Sequence, residues 1–91
     1  MNDENEMVLS ELLKQKQIGI FEAYEVRTFR IYRKSKDGGV QEVTIEILDA
    51  GPTKPGSRYH CVARAGDKSA SGNSAESIST VLALVHWWDL D

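Results

Sequence analysis

Between Val40 and Leu48 the chain alternates strictly, with Val43, Ile45 and Ile47 on one side and Glu42, Thr44 and Glu46 on the other. That two-residue period is the mark of a half-buried strand. Residues 24 to 36 mix β-branched and aromatic side chains with arginine and read as a second strand. Lys36-Asp37-Gly38-Gly39 lies between the two and is the strongest turn signal in the chain. A two-residue loop at Asp37-Gly38 would set Arg30 against Ile45 and Phe29 against Glu46, mixing charge with apolar groups on both faces. A three-residue loop, Asp37-Gly38-Gly39 with Gly39 at positive φ, pairs Phe29 with Ile47, Ile31 with Ile45 and Arg33 with Val43. It also sets Arg30 opposite Glu46, Lys34 opposite Glu42 and Tyr32 beside Thr44, so both faces agree. Arg58 to Ala65 resumes the alternation, with Tyr59, Cys61 and Ala63 inward. The intervening stretch from Asp49 to Ser57 holds Gly51-Pro52 and Pro55-Gly56 and suits only a loop. After a turn at Gly66-Asp67, residues 68 to 72 read as a short polar return.

Helical spacing brackets these strands. Asn2 or Asp3 suits the cap of a first helix over roughly residues 4 to 16, with Val8, Leu9, Leu12 and Leu13 as its apolar face. So short a helix is marginal alone and must dock or fray, and residues 1–5 are expected to fray. Residues 72 to 91 read as an amphipathic helix starting at Asn73 or Ser74, where Asn73 and Glu76 have capping-box spacing. At about 100° per residue, Ile78, Val81, Leu82, Val85 and Trp88 form one stripe, and Trp87 falls nearly opposite its centre. Either Trp87 stands at a contact surface or the helix ends near His86 and lets that ring fold back over the sheet edge. The expected architecture is therefore α+β, a three-stranded antiparallel meander in the order α-β-β-β-α, with the last helix on one sheet face. Residues 1–91 make a single domain of a size that buries one modest core.

Composition adds exclusions. A chain that is 41% hydrophobic and 27% charged is ordinary for a folded domain. No run is long enough to span a membrane, and the acidic start is unlike a signal peptide, so a cytoplasmic location is expected. Net charge is −3 but unevenly placed, since residues 14 to 36 are strongly basic and residues 37 to 49 acidic. A nucleic-acid interface would draw on Arg27, Arg30, Arg33, Lys34, Arg58 and Arg64, but Glu42 and Glu46 lie across the hairpin and cancel much of the field that phosphate binding requires.

Catalytic and metal chemistry finds little support. Gly51 to Gly56 has the glycine spacing of a phosphate loop, but Ser57-Arg58 follows where lysine and Ser/Thr are needed, and a strand follows where a helix is needed. His60, His86, Cys61, Asp89 and Asp91 offer no metal-ligand spacing. Cys61 is a lone cysteine in a half-buried strand, and His60 beside it points to the other face. No serine has a nucleophile elbow or an oriented base. Neither a cofactor nor an enzymatic activity is expected.

Two stretches carry a family resemblance. Leu9-Ser10-Glu11-Leu12-Leu13-Lys14-Gln15-Lys16 leading to Tyr24-Glu25-Val26, and the strand, turn, Gly72 and helix from Tyr59 to Val85, together resemble the outline of the double-stranded RNA-binding domain. That resemblance implies helix, three antiparallel strands, helix. The lysines that open the last helix of that family and hold RNA are replaced here by Ser74-Ala75-Glu76-Ser77-Ile78, so it implies no RNA contact. Gly72-Asn73-Ser74-Ala75-Glu76-Ser77-Ile78 after a strand is equally similar to HicB-type antitoxin domains. The expected function is a non-catalytic protein-interaction module, with self-association among the options, contacting its partner through Leu84, Trp87, Trp88 and Leu90.

Overall fold

The computed structural model describes residues 3–91, the side chains of Asp3, Lys16 and Pro52 excepted. Its elements run α1 (Asp3–Leu13), β1 (Glu25–Lys34), β2 (Val40–Asp49), β3 (Tyr59–Ala65), β4 (Lys68–Ser71) and α2 (Ile78–Ala83), with 3-10 turns at Lys16–Ile18, Gly51–Thr53 and Trp87–Leu90. The strands form one antiparallel sheet in the order β1-β2-β3-β4. The α+β class stands, but the sheet has four strands, not three. The polar return over Lys68–Ser71 is the fourth, pairing Ala70 with Ala63 and Ser71 with Val62.

The hairpin register also differs from expectation. Phe29 faces Ile45, Ile31 faces Val43, Arg30 faces Thr44 and Lys34 faces Val40, two residues away from the expected pairing. The turn decides this. Its three loop residues are Lys36, Asp37 and Gly38, and positive φ falls on Gly38 at 88°, not on Gly39. Gly38 N–H donates to Ser35 O at 2.9 Å and Ser35 N–H donates to Gly39 O at 2.8 Å. The Asp37 carboxylate accepts from Gly39 N–H and from the Ser35 hydroxyl, which holds the aspartate inside the loop. A shift of two leaves every side chain on its expected face, so the core is unchanged while the charge pairs are exchanged. Arg30 reaches Glu42 at 3.3 Å, and Glu46 turns to Arg64 instead.

The long C-terminal helix is replaced by three pieces. Residues 72 to 76 are non-helical, and Ala75 makes a two-bond bridge to Tyr59, with N···O distances of 2.9 and 3.0 Å. Neither Asn73 nor Ser74 caps a helix. Ser77 does, its hydroxyl accepting from Thr80 N–H at 3.2 Å. The cause is local composition: Asn and Ser side chains compete for the backbone and favour caps and turns over helix interiors. Helix α2 then lasts six residues and ends against Gly72. His86 N–H donates to Ser71 O at 3.1 Å and the chain turns into the 3-10 segment Trp87–Leu90. This segment is fastened to the hairpin, since Gln41 donates to Leu90 O at 2.7 Å and Arg33 meets the Asp91 carboxylate at 2.9 Å.

One sheet face carries the core. Val43, Ile45, Ile47, Cys61, Ala63, Ala65 and Ala70 lie under Val81, Val85 and Leu90, with Ile31, Tyr59, Leu82 and Trp87 at the margin. Alanines on β3 and β4 let α2 and the 3-10 turn approach the sheet closely. Of the expected apolar face of α1, only Leu9 is buried; the helix lies near the Gly51–Thr53 turn, with Glu6 beside Arg58. The expected cap at Asn2 and the fraying of residues 1 and 2 lie outside the described residues. Asp3 to Asn5 are helical, and Asn5 donates to Glu25 at 2.6 Å.

Candidate functional site

A helix about 10 Å across, on strands about 4.8 Å apart, covers two to three of them. Here α2 lies against β3, and the 3-10 turn lies against β3 and β4. The stretch of β1 from Arg27 to Ile31 is left uncovered on the core side, and a groove of about 360 Å³ runs between it and α2. Phe29, Ile31, Ile45 and Ile47 form the floor, while Ile78 and Leu82 form the α2 wall. Phe29 is 49% exposed despite facing the same way as the core. Such an apolar recess with charged groups at its end is the usual form of a binding site.

Arg27 and Asp49 stand among the lining residues. The Asp49 carboxylate is buried and accepts from Arg58 Nε and Nη2, at 2.8 and 3.2 Å, and from the Gly51 N–H at 2.7 Å. Burial alone would raise its pKa, but the Arg58 and Gly51 hydrogen bonds and the Arg58 charge outweigh it and hold the carboxyl below its ordinary value. Asp49 is thus engaged inside the fold and serves to anchor the β2–β3 loop. Arg27 is more open, with only a 3.8 Å contact to Glu25.

Beside the groove, β1 is an edge strand, and among the described residues no strand lies on its outer side. Ser35 N–H bonds inward to Gly39 O, and antiparallel ladders alternate. The odd-numbered residues of β1 therefore bond to β2, whereas the N–H and C=O groups of Val26, Thr28, Arg30, Tyr32 and Lys34 point outward. The opposite edge is different: β4 has four residues and lies beside the Trp87–Leu90 turn. Among the described residues only β1 offers a long open ladder, a feature that folded proteins ordinarily cover or blunt.

The expected partner residues are dispersed. Trp88 is 66% exposed and stacks on His86 at 4.8 Å between ring centroids, and Leu84 is exposed. Trp87 is half-buried on the core margin and Leu90 is 0% exposed. The two rings have exchanged the places that one continuous helix would give them, and Leu90 is a core residue in this fold. The basic residues are also divided. Arg30, Lys34 and Arg64 lie on the uncovered sheet face, Arg27 and Arg33 on the core face, and Arg58 at the sheet end. Each of the five arginines has a carboxylate beside it: Glu25, Glu42, Asp91, Asp49 and Glu46 in chain order.

No family model, curated protein or solved structure matches this chain. Cys61 is buried among alanines and isoleucines, and burial pushes its thiol pKa up, away from nucleophilic behaviour. Among the described residues no three His, Cys, Asp or Glu side chains converge as a metal site, and no helix is long and apolar enough to cross a membrane. The groove escaped sequence reasoning because Phe29 and Ile31 read as ordinary core positions. The one available signal was the Asn- and Ser-rich run before Ile78, which shortens α2 until it cannot cover four strands.

Proposed function

We propose that this chain is a non-catalytic binding domain that takes a protein partner in the apolar groove between β1 and α2. The observation that supports this is the conjunction of Phe29, Ile31, Ile78 and Leu82 around an open recess with an unpaired strand edge at its side. An apolar groove on a small domain costs free energy when left wet, and partner burial recovers about 25 cal/mol per Å² covered. Leu84 and Trp88 are each exposed at and beyond the end of α2 and offer self-association further contact points.

A nucleic-acid-associated role for Arg27, Arg30, Arg33, Lys34, Arg58 and Arg64 is the alternative. It is the weaker one, because the pairing of every arginine with a carboxylate leaves little net positive field for a phosphate backbone. Selection from a displayed random peptide library tests the leading proposal. Clones retained by the native chain should lose binding to Ile78→Asp, a substitution at an exposed groove position. A library that yields no binder sensitive to Ile78→Asp removes the groove, and retardation of RNA or DNA at low salt would favour the alternative.

A further inference from the structure

Resting on that groove, the geometry points to a specific occupant: an extended polypeptide segment in which apolar residues alternate with carboxylates, added antiparallel to the outer edge of β1 as a fifth strand. Three observations lead there. First, the outward N–H and C=O groups of Val26, Thr28, Arg30, Tyr32 and Lys34 form a ready ladder, which is what strand addition uses for affinity. Second, an added strand would place alternate side chains on the groove side opposite Arg27, Phe29 and Ile31, and the remaining ones on the uncovered face opposite Thr28, Arg30 and Tyr32. The first set meets apolar surface. The second set meets Arg30 and Lys34.

Third, β1 already has one neighbour, and that neighbour has this composition. β2 presents Val43, Ile45 and Ile47 to the core side and Glu42, Thr44 and Glu46 to the other. A strand reached from its two edges offers the same two faces, so the sequence that suits β1 on the inside describes what suits it outside. Charge agrees. β1 carries Arg27, Arg30, Arg33 and Lys34 against Glu25 within the strand; Arg27 and Arg33 are engaged by Glu25 and Asp91 on the core face, so the charge on the uncovered face comes from Arg30 and from Lys34, whose direct cross-strand neighbour is Val40. The existing Arg30–Glu42 contact is solvent-exposed and so weakly held, and a guanidinium has donors to spare for a second carboxylate. The same charge count argues against a second copy pairing β1 to β1, which would lay two basic strands side by side.

The test uses a synthetic peptide with the sequence of Val40–Asp49 and the whole protein, read by fluorescence anisotropy at low and at physiological salt. The native chain should bind it. Thr28→Pro removes an outward N–H without touching the β1–β2 ladder, and should weaken binding by about tenfold or more. A peptide with lysine in place of its glutamates should bind poorly to the native chain and recover on the double variant Arg30→Glu/Lys34→Glu, which retains its fold if Thr28→Pro does not. Equal affinity for acidic and lysine-bearing peptides, or full affinity in Thr28→Pro, overturns the proposal. A dimer of the free chain that Thr28→Pro dissociates would also overturn it, naming a second copy as occupant while leaving the groove in place. Library binders that depend on Ile78 yet compete with no acidic peptide would reject the occupant alone. If no binder of either kind responds to Ile78→Asp, the groove fails as well.

Discussion

Replacing Gly72 by alanine should be among the most damaging single-methyl additions in this fold. A Cβ built there lies 2.1 Å from the carbonyl oxygen of Leu84 and 2.6 Å from its carbonyl carbon. Carbon–oxygen contacts settle near about 3.3 Å, so the chain must open by more than about 1 Å, and both atoms in the way are backbone. The movement would draw the end of α2 away from the backbone at Gly72, loosen Val81 and Val85 in the core and stretch the 3.1 Å bond from His86 N–H to Ser71 O. Overpacking of this kind costs about 1–3 kcal/mol, and the hydrogen bond adds about 1. Against that, a less flexible unfolded chain offsets about 0.4–1 kcal/mol. The balance, about 1–3.5 kcal/mol, corresponds to a fall of roughly 4–25 °C in Tm for a domain of this size. Gly39→Ala is the matched control, because its added carbon meets the movable Asp37 carboxylate at 3.2 Å. Thermal and urea unfolding of both variants, followed by circular dichroism, settles the matter. A Gly72→Ala protein that melts within about 3 °C of the native chain would refute the close approach of Gly72 and the Leu84 backbone on which the C-terminal fold depends.

Other expectations concern the core and its charges. Leu90→Ala should cost about 2–5 kcal/mol as a fully buried truncation, whereas Trp88→Ala should stay within about 0.5; urea midpoints measure both. Iodide should quench Trp88 strongly and Trp87 weakly, which the two single-tryptophan variants resolve. Asp49→Asn should destabilise the chain by about 1–3 kcal/mol at neutral pH, because it discharges the buried acceptor of the part-exposed Arg58 guanidinium. Since the folded Asp49 pKa lies below its unfolded value, the stabilisation is complete above the unfolded value and disappears as pH falls through the folded one. The gap between the native chain and Asp49→Asn should therefore close under acid, and a gap independent of pH would contradict the pairing.

The parts of the fold that sequence reveals are those with a short-range cause. Val43, Ile45 and Ile47 alternate with acids, so β2 and its buried face follow directly. The hairpin needed a three-residue loop with one glycine at positive φ, which is legible. Which of two adjacent glycines takes that role depends on Asp37 and Ser35 bonding inside the loop, and the outcome moves the register by two. The spacing of Ile78, Val81, Leu82, Val85 and Trp88 mimics a helix longer than the one that forms, because Ala75 finds a better partner in Tyr59 and Gly72 admits the Leu84 backbone. β4 was invisible for a different reason: Lys68–Ser71 is short and polar, and only pairing with β3 makes it a strand. The groove lies furthest from the sequence, being set by how far α2 extends across the sheet.

Residue-resolved amide hydrogen exchange, with and without the Val40–Asp49 peptide, tests the open edge most directly. In the free protein Arg27, Phe29, Ile31 and Arg33 should be protected, while Val26, Thr28, Arg30, Tyr32 and Lys34 exchange fast. Peptide should then slow the even-numbered set and leave the odd-numbered set as it was. Even-numbered amides already protected in the free chain, or unchanged when the peptide is bound, would contradict an edge open to strand addition.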